Sequence, residues 1–174
     1  MTKTISNVIM IGMPGAGKST LGVVLAKIMN KGFIDCDLVI QGECGKTLQD
    51  IIDEEGPEGF IAVENRILSG IHPENTVIST GGSAVYSDEA MAHLASLGPI
   101  VYLEISYESL VHRLSDLHER GVVLKNGVSM SLRDLYEERK PLYEKYADIT
   151  VNVDDLSITA AARKVASAIC ATKI

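Results

Sequence analysis

The stretch Gly12–Thr20 reads GMPGAGKST and decides the fold. A glycine, four free positions and then Gly-Lys-Ser form the pattern of a phosphate-binding loop, or P-loop. Glycines let the backbone turn its N–H groups inward around a polyphosphate. Lys18 is expected to reach the terminal phosphates, and the Ser19 hydroxyl to hold Mg²⁺. The predicted nucleotide-binding residues here are Gly12, Gly15, Ala16, Gly17, Lys18, Ser19 and Thr20.

The sequence on either side of this stretch supports the prediction. An apolar run of strand length, residues 5–11, precedes it, and residues 21–29 are apolar nearly all round, as in a buried helix. A helix that starts at the loop places the positive end of its dipole beneath the phosphates. The alternative, a glycine-rich turn with an incidental lysine, does not require this order of strand, loop and helix.

Composition limits the class of protein. The chain has 174 residues, the size of one domain, and no apolar run long enough to span a bilayer. Its three cysteines lack C-x-x-C spacing, which predicts free thiols in a cytoplasmic, reducing setting. The net charge of −7 disfavours a nucleic-acid or anionic-membrane partner. We expect a monomer.

Short apolar strands alternate with helical patterns along the whole chain. This alternation predicts an α/β fold of three layers, with a parallel sheet between helices. We treat residues 1–174 as a single domain. The predicted strands are residues 5–11, 33–36, 76–79, 100–105 and 149–153.

Two polar segments follow predicted strands. Asp35 and Asp37 end the second strand at the edge of the sheet where parallel α/β proteins bind ligands. They could instead cap the next helix. Gly81 and Gly82 follow the third strand, where they allow a ligand to approach the backbone or simply form an ordinary turn. A further glycine-containing polar segment, residues 119–131, is expected to be a surface loop that acts as a lid.

Taken together, these motifs resemble the shikimate kinase family. The P-loop is followed by Asp-Cys-Asp at 35–37, Thr-Gly-Gly at 80–82, a lid arginine and Arg-x-Pro-x-Tyr-x-x-x-Ala-Asp from Arg139. The likeness runs from about residue 7 to residue 153. It implies a nucleoside-monophosphate-kinase-like fold with sheet order 2-3-1-4-5. It also implies transfer of the γ-phosphate of ATP to a ring hydroxyl of shikimate, with Mg²⁺.

The resemblance assigns residues on the nucleotide side of the site. It implies that Asp35 lies near the magnesium ion through water and joins Ser19 as a metal residue. Arg113 matches an arginine at the adenine, and Arg120 matches the lid arginine that closes over the phosphates. Lys18 and Arg120 thereby become catalytic candidates.

The resemblance also assigns residues on the acceptor side. Asp37 matches the aspartate that binds the substrate hydroxyl and acts as base. Gly81 and Gly82 match a substrate-binding glycine motif, and Arg139 matches an arginine that pairs with the substrate carboxylate. The helices over about 45–72 are expected to bind the acceptor.

The chain departs from the family pattern on the acceptor side. Ile61 stands where the family has a carboxylate-binding arginine, and Glu64, which would support that arginine, is retained. Ser83 replaces a third glycine, Gly121 replaces the proline after the lid arginine, and Gln41 replaces a glutamate. These departures favour a small-molecule kinase in general over shikimate in particular. Shikimate is the first candidate acceptor, and a hydroxy acid or hydroxy amino acid such as homoserine is the second.

Two other classes of function stay open at this stage. A nucleotide-dependent switch of the small-GTPase kind predicts an Asn-Lys-x-Asp motif, which the chain lacks. A catalytically inactive relative with a regulatory role is compatible with Ile61. The presence of Lys18, Ser19, Asp35 and Asp37 argues against it.

Overall fold

A parallel five-stranded sheet forms the centre of the molecule. The structure is a computed structural model and describes residues 6–115 and 131–172. The strand order is β2-β3-β1-β4-β5, and each neighbouring pair is parallel. Helices cover both faces, so the predicted three-layer architecture and sheet order are confirmed. The strands are β1 (Val8–Ile11), β2 (Gly32–Asp35), β3 (Thr76–Ser79), β4 (Ile100–Glu104) and β5 (Ile149–Asn152).

The helices lie between and after these strands. A single 3₁₀ turn, Ala84–Tyr86, follows β3. In the helix Leu48–Leu68, Gly56 has a non-helical backbone (φ 73°, ψ 174°), which divides the helix in two. The helices of the described residues are α1 (Lys18–Met29), α2 (Cys36–Cys44), α3 (Leu48–Leu68), α4 (Asp88–Leu97), α5 (Tyr107–Ser115), α6 (Leu132–Tyr146) and α7 (Ile158–Ala171).

Strand β1 is apolar throughout because it lies at the middle of the sheet with helices on both sides. All four of its residues are completely buried, and Ile9 pairs with Ile78 of β3 and Ile100 of β4. Edge strand β5 instead alternates buried and exposed residues. Burial on both faces places the end of β1, where the P-loop begins, at the centre of the domain.

Several predicted strand boundaries were wrong by one to three residues. The first strand begins at Val8 rather than at residue 5. The second ends at Asp35, because the Asp35 side chain caps α2 and Cys36 is already helical. Most of the predicted lid, including Arg120, lies outside the described residues. Within the described part of the chain, no helix is both long and apolar enough to cross a bilayer.

The side chain of Asn7 ties three segments together at the base of β1. Its amide donates hydrogen bonds to Pro73 O (2.8 Å) and Leu97 O (3.2 Å), and its Oδ1 accepts one from Thr76 N (3.0 Å). Asn7 is 3 % exposed, so water cannot readily replace these bonds. The register between β1 and β3 therefore depends on this side chain.

We expect Asn7→Ala to destabilise the fold by about 3 kcal/mol, because it leaves buried backbone groups without partners. Urea unfolding measures this loss. Asn152→Ala, which removes an exposed side chain with its own hydrogen bonds, serves as the control and should cost about 1 kcal/mol or less. Equal losses for the two variants would contradict the assigned role of Asn7.

Candidate active site

A cavity of about 620 Å³ opens at the carboxyl ends of β1, β2 and β3. This is the edge where parallel α/β sheets bind ligands. Its wall combines residues from the P-loop, α2, α3, the segment after β3 and α6. The structure therefore brings the predicted nucleotide and acceptor halves together in one cavity. The predicted site residues on its wall are Gly15, Gly17, Lys18, Ser19, Thr20, Asp35, Asp37, Gly81, Gly82 and Arg139.

The P-loop owes its shape to backbone conformations that favour glycine. Gly12, Gly15 and Gly17 have φ angles of 148°, 86° and 91°. At Gly12 a Cβ atom would also lie 2.8 Å from Leu103 O of the neighbouring strand β4, so no larger residue fits. Gly17 caps α1 without a side-chain hydrogen bond, as in helix N-termini that bind anions.

Lys18 is a buried part of this loop rather than a surface group. It is 7 % exposed, and its Nζ donates hydrogen bonds to Gly12 O (2.7 Å) and Met13 O (2.9 Å). The P-loop folds around the ammonium group, which holds a positive charge at the base of the cavity.

Asp35 caps the next helix, and both Asp35 and Asp37 lie at the cavity. The carboxylate of Asp35 accepts a hydrogen bond from Asp37 N (3.0 Å) and thereby caps α2. Both aspartates also line the cavity, together with Ser19. Carboxylate and hydroxyl oxygens are ligands that Mg²⁺ accepts, usually with water and phosphate completing its shell. Ser19 and Asp35 therefore fit a magnesium site, although no cluster of three or more His, Cys, Asp or Glu side chains occurs in the described residues.

Gly81 and Gly82 allow charged side chains to approach the backbone closely. A Cβ atom on Gly81 would lie 2.7 Å from Glu64 Oε1 and 3.0 Å from Asp37 Oδ1. On Gly82 it would lie 2.8 Å from Pro14 Cδ and 2.9 Å from Arg139 Nη1. These glycines are thus required by neighbouring protein atoms, whatever the ligand does.

Tyr86 and Glu138 hold Arg139, a role that the sequence did not reveal. Arg139 is 1 % exposed yet lines the cavity. Its Nε donates a hydrogen bond to Tyr86 Oη (3.1 Å), and the guanidinium lies 5.1 Å from the centre of the Tyr86 ring. The Tyr86 hydroxyl in turn donates to Glu138 (2.6 Å). Burial raises the pKa of Tyr86, so it stays a neutral donor.

Glu64 is a buried carboxyl group with one neutral partner. The Ser83 hydroxyl donates a hydrogen bond to its Oε2 (2.6 Å), whereas Oε1 has no hydrogen-bond partner among the described residues. Burial raises the pKa of Glu64 to about 7, and Asp37 adds to the rise. The hydrogen bond from Ser83 and the charges of Arg139 and Lys18 act in the opposite direction. Two departures from the family pattern, at 61 and 83, therefore concern the same carboxyl group.

The cavity wall includes Phe60 rather than Ile61 among the described residues. Ile61 is half-buried and packs against the small apolar cluster of Ile40, Ile51, Phe60 and Ile67. The expectation that Ile61 itself faces the acceptor is therefore not met. An arginine at this position would have to extend past the cluster to reach the cavity.

Three other predicted residues lie beside the cavity and do not form its wall. Gly12 and Ala16 are buried within the P-loop. Arg113 donates hydrogen bonds to Ala16 O (3.1 Å) and to Val153 O (3.1 Å), and thereby ties the P-loop to the segment after β5. Its guanidinium therefore lies next to the loop.

Comparison with known proteins identifies the family. A sequence model of the shikimate kinase family matches residues 14–170. The chain belongs to the shikimate kinase family. A shikimate kinase of Francisella tularensis subsp. holarctica is 37 % identical over 163 residues, which cover 92 % of this chain and 93 % of the relative. A shikimate kinase of Vibrio parahaemolyticus is also 37 % identical, over 160 residues, 91 % of this chain and 93 % of the relative.

A solved structure shows the same fold. The shikimate kinase from Acinetobacter baumannii in complex with shikimate superposes with a TM-score of 0.86 at 29 % identity. The match covers 98 % of this chain and 96 % of that protein. The family and the fold together make the chain an ATP-dependent small-molecule kinase.

The raised pKa of Glu64 predicts that stability falls as pH rises. The folded state holds the Glu64 proton to about pH 7, whereas the unfolded state releases it near the ordinary glutamate pKa of 4.5. The free energy of unfolding therefore falls between these two pH values, by a total of about 3 kcal/mol. Urea unfolding is measured from pH 4 to pH 8, at steps of about one pH unit. The free energy of unfolding should fall in this way in the wild type and not in Glu64→Gln. Parallel curves would contradict the shift.

Proposed function

We propose that this protein transfers the γ-phosphoryl group of ATP to a hydroxyl of shikimate. The observation that carries the proposal is the single cavity in which Lys18 and Ser19 of the P-loop face Asp37 and Arg139. Family membership supports it, as does the relative from Acinetobacter baumannii whose structure contains shikimate. Homoserine is not favoured as the acceptor.

On the nucleotide side, the P-loop backbone and Lys18 bind the β- and γ-phosphates. Ser19, with Asp35 acting through water, would hold Mg²⁺, which neutralises phosphate charge when bound. Arg113, which lies against the P-loop, is assigned to the adenine by the family resemblance. Arg120 is assigned to the lid over about 119–131, outside the described residues. Phosphoryl transfer depends mainly on such positioning and charge neutralisation.

On the acceptor side, Asp37 accepts the proton of the attacking hydroxyl as its oxygen bonds to phosphorus and the bond to ADP breaks. Arg139 pairs with the acceptor carboxylate, held in place by Tyr86. Gly81 and Gly82 let the acceptor lie close to the backbone. The helical region over about 45–72 contributes Thr47, Leu48, Gln49 and Phe60 to the cavity wall.

We further propose that the chain works as one domain, as a monomer in the cytoplasm. The net charge of −7 supports the absence of a nucleic-acid or membrane partner. Measuring ADP release with shikimate and with homoserine tests the function directly. Faster turnover of homoserine than of shikimate would overturn the proposed acceptor.

Lys18→Ala should lower turnover about 100-fold or more, because the lysine stabilises charge on the transferred phosphoryl group. The control is Lys27→Ala, which removes an exposed lysine from the same helix and should leave turnover unchanged. Thermal melting checks that both variants fold, since Lys18 also bonds to the P-loop carbonyls. Near-normal phosphoryl transfer by folded Lys18→Ala would overturn the role of the P-loop.

Ile61→Arg should leave the KM for shikimate within about threefold of the wild-type value below about pH 7, because Ile61 is not on the cavity wall and an arginine paired with ionised Glu64 leaves the net charge unchanged. The new guanidinium would lie one helical turn before Glu64, where it can pair with that carboxylate. Ile61→Met is the matched control, because methionine is long but uncharged, and it should not lower the KM. A fall in KM of about tenfold or more in the arginine variant alone, equivalent to about 1.4 kcal/mol, would show that this position serves the acceptor directly.

A further inference from the structure

The proposed reaction does not use Glu64, an ionisable residue that lies beside the cavity. Glu64 is 1 % exposed and lies directly behind Gly81, with Oε1 on the same side of that glycine as Asp37 Oδ1. Arg139 Nη1 lies next to the adjacent glycine, Gly82. The carboxyl group of Glu64 therefore lies close to Asp37, one glycine away from the guanidinium of Arg139.

Groups from every element packed around Glu64 determine its charge. Ser83 is the hydrogen-bond donor to Oε2. Burial keeps the pKa of the Cys36 thiol well above its usual value, and it also raises that of the Tyr143 hydroxyl, so both stay neutral. The groups that face Glu64 are Lys18 of α1, Cys36 and Asp37 of α2, Ser83 after β3, and Arg139 and Tyr143 of α6.

These surroundings suit an uncharged carboxyl group better than a carboxylate. A buried carboxylate needs several donors or a close cation to offset the loss of hydration. Glu64 has a single hydroxyl donor, and one of its oxygens lacks a hydrogen-bond partner within the described chain. When Glu64 does ionise, it adds a second negative charge beside Asp37 and within reach of the Arg139 charge.

We propose that Glu64 is a specificity-determining residue that acts through Arg139. In its uncharged form it keeps the field around Arg139 positive enough to bind the carboxylate of an anionic acceptor. When Glu64 ionises, the added negative charge repels that carboxylate and weakens its binding. By linkage, a bound acceptor carboxylate must in turn favour the uncharged form of Glu64. This proposal rests on the proposed function, since shikimate is the anionic acceptor used below.

The test measures the KM and the binding constant for shikimate between about pH 6 and about pH 9, a range in which a carboxylate ligand stays ionised. In the wild type both constants should rise about threefold or more as Glu64 ionises. Glu64→Gln, which cannot ionise, should keep one value across the range. The KM for ATP, measured in parallel, should not follow this rise in any variant.

Ser83→Ala separates the proposed role of Glu64 from a merely structural one, because only the proposed role links this hydroxyl to the pH at which the KM for shikimate rises. The Ser83 hydroxyl favours the ionised form of Glu64, so its removal should shift the rise in KM to higher pH. This variant also covers the case in which Glu64→Gln fails to fold. A shift to lower pH, or none, would overturn the assignment.

The outcomes separate the two proposals. Normal shikimate turnover with a wild-type KM that does not vary with pH would overturn the role of Glu64 alone. Loss of turnover with pH-dependent binding of shikimate would overturn the proposed reaction and support Glu64. Absence of both turnover and binding would overturn both.

Discussion

The structure depends on one turn, the left-handed backbone that joins β1 to α1. Gly12 leaves the central strand with φ 148° and passes so close to Leu103 O that a Cβ atom would not fit. Because β1 is buried on both sides, this turn brings the N-terminus of α1 to the middle of the sheet edge. The Lys18 ammonium lies inside this turn and donates hydrogen bonds to the carbonyl oxygens of Gly12 and Met13, which would otherwise lack donors. Fold and phosphate site are therefore consequences of the same local geometry.

A second close approach, at Gly81 and Gly82, organises the acceptor side. Because these two residues lack Cβ atoms, Glu64 and Asp37 can lie close to Gly81, and Arg139 can lie close to Gly82. Charged side chains packed this closely lose hydration, and hydrogen bonds must offset that loss. Tyr86 accepts one from Arg139, and Ser83 donates one to Glu64. The hydroxyl of Tyr143 also donates to Gly82 O (2.7 Å), which fixes the backbone between them.

The features that could be predicted from the sequence are those that depend on residues close together in the chain. The strand, P-loop and α1 follow from local pattern, and Asp35 and Asp37 were found because they end a strand. The sheet order came from the family resemblance, since strand pairing is a long-range property. Tyr86 was missed because its partner, Arg139, is 53 residues away. The family resemblance assigned Ile61 to the acceptor side, whereas the cavity wall includes its neighbour Phe60, and Ile61 packs against the apolar cluster.

The departures at 61 and 83 form one coupled change in electrostatics. An arginine at 61 would place a positive charge near Glu64 and favour its carboxylate form. With isoleucine there, the carboxyl group is left with a neutral donor, Ser83, and holds its proton to about pH 7. Replacing a cation beside a carboxylate by an apolar group beside a carboxylic acid leaves the net charge unchanged while the pH is below the pKa of about 7. The acceptor pocket can thus lose an arginine and keep the charge balance that an anionic ligand requires, but only while Glu64 remains protonated.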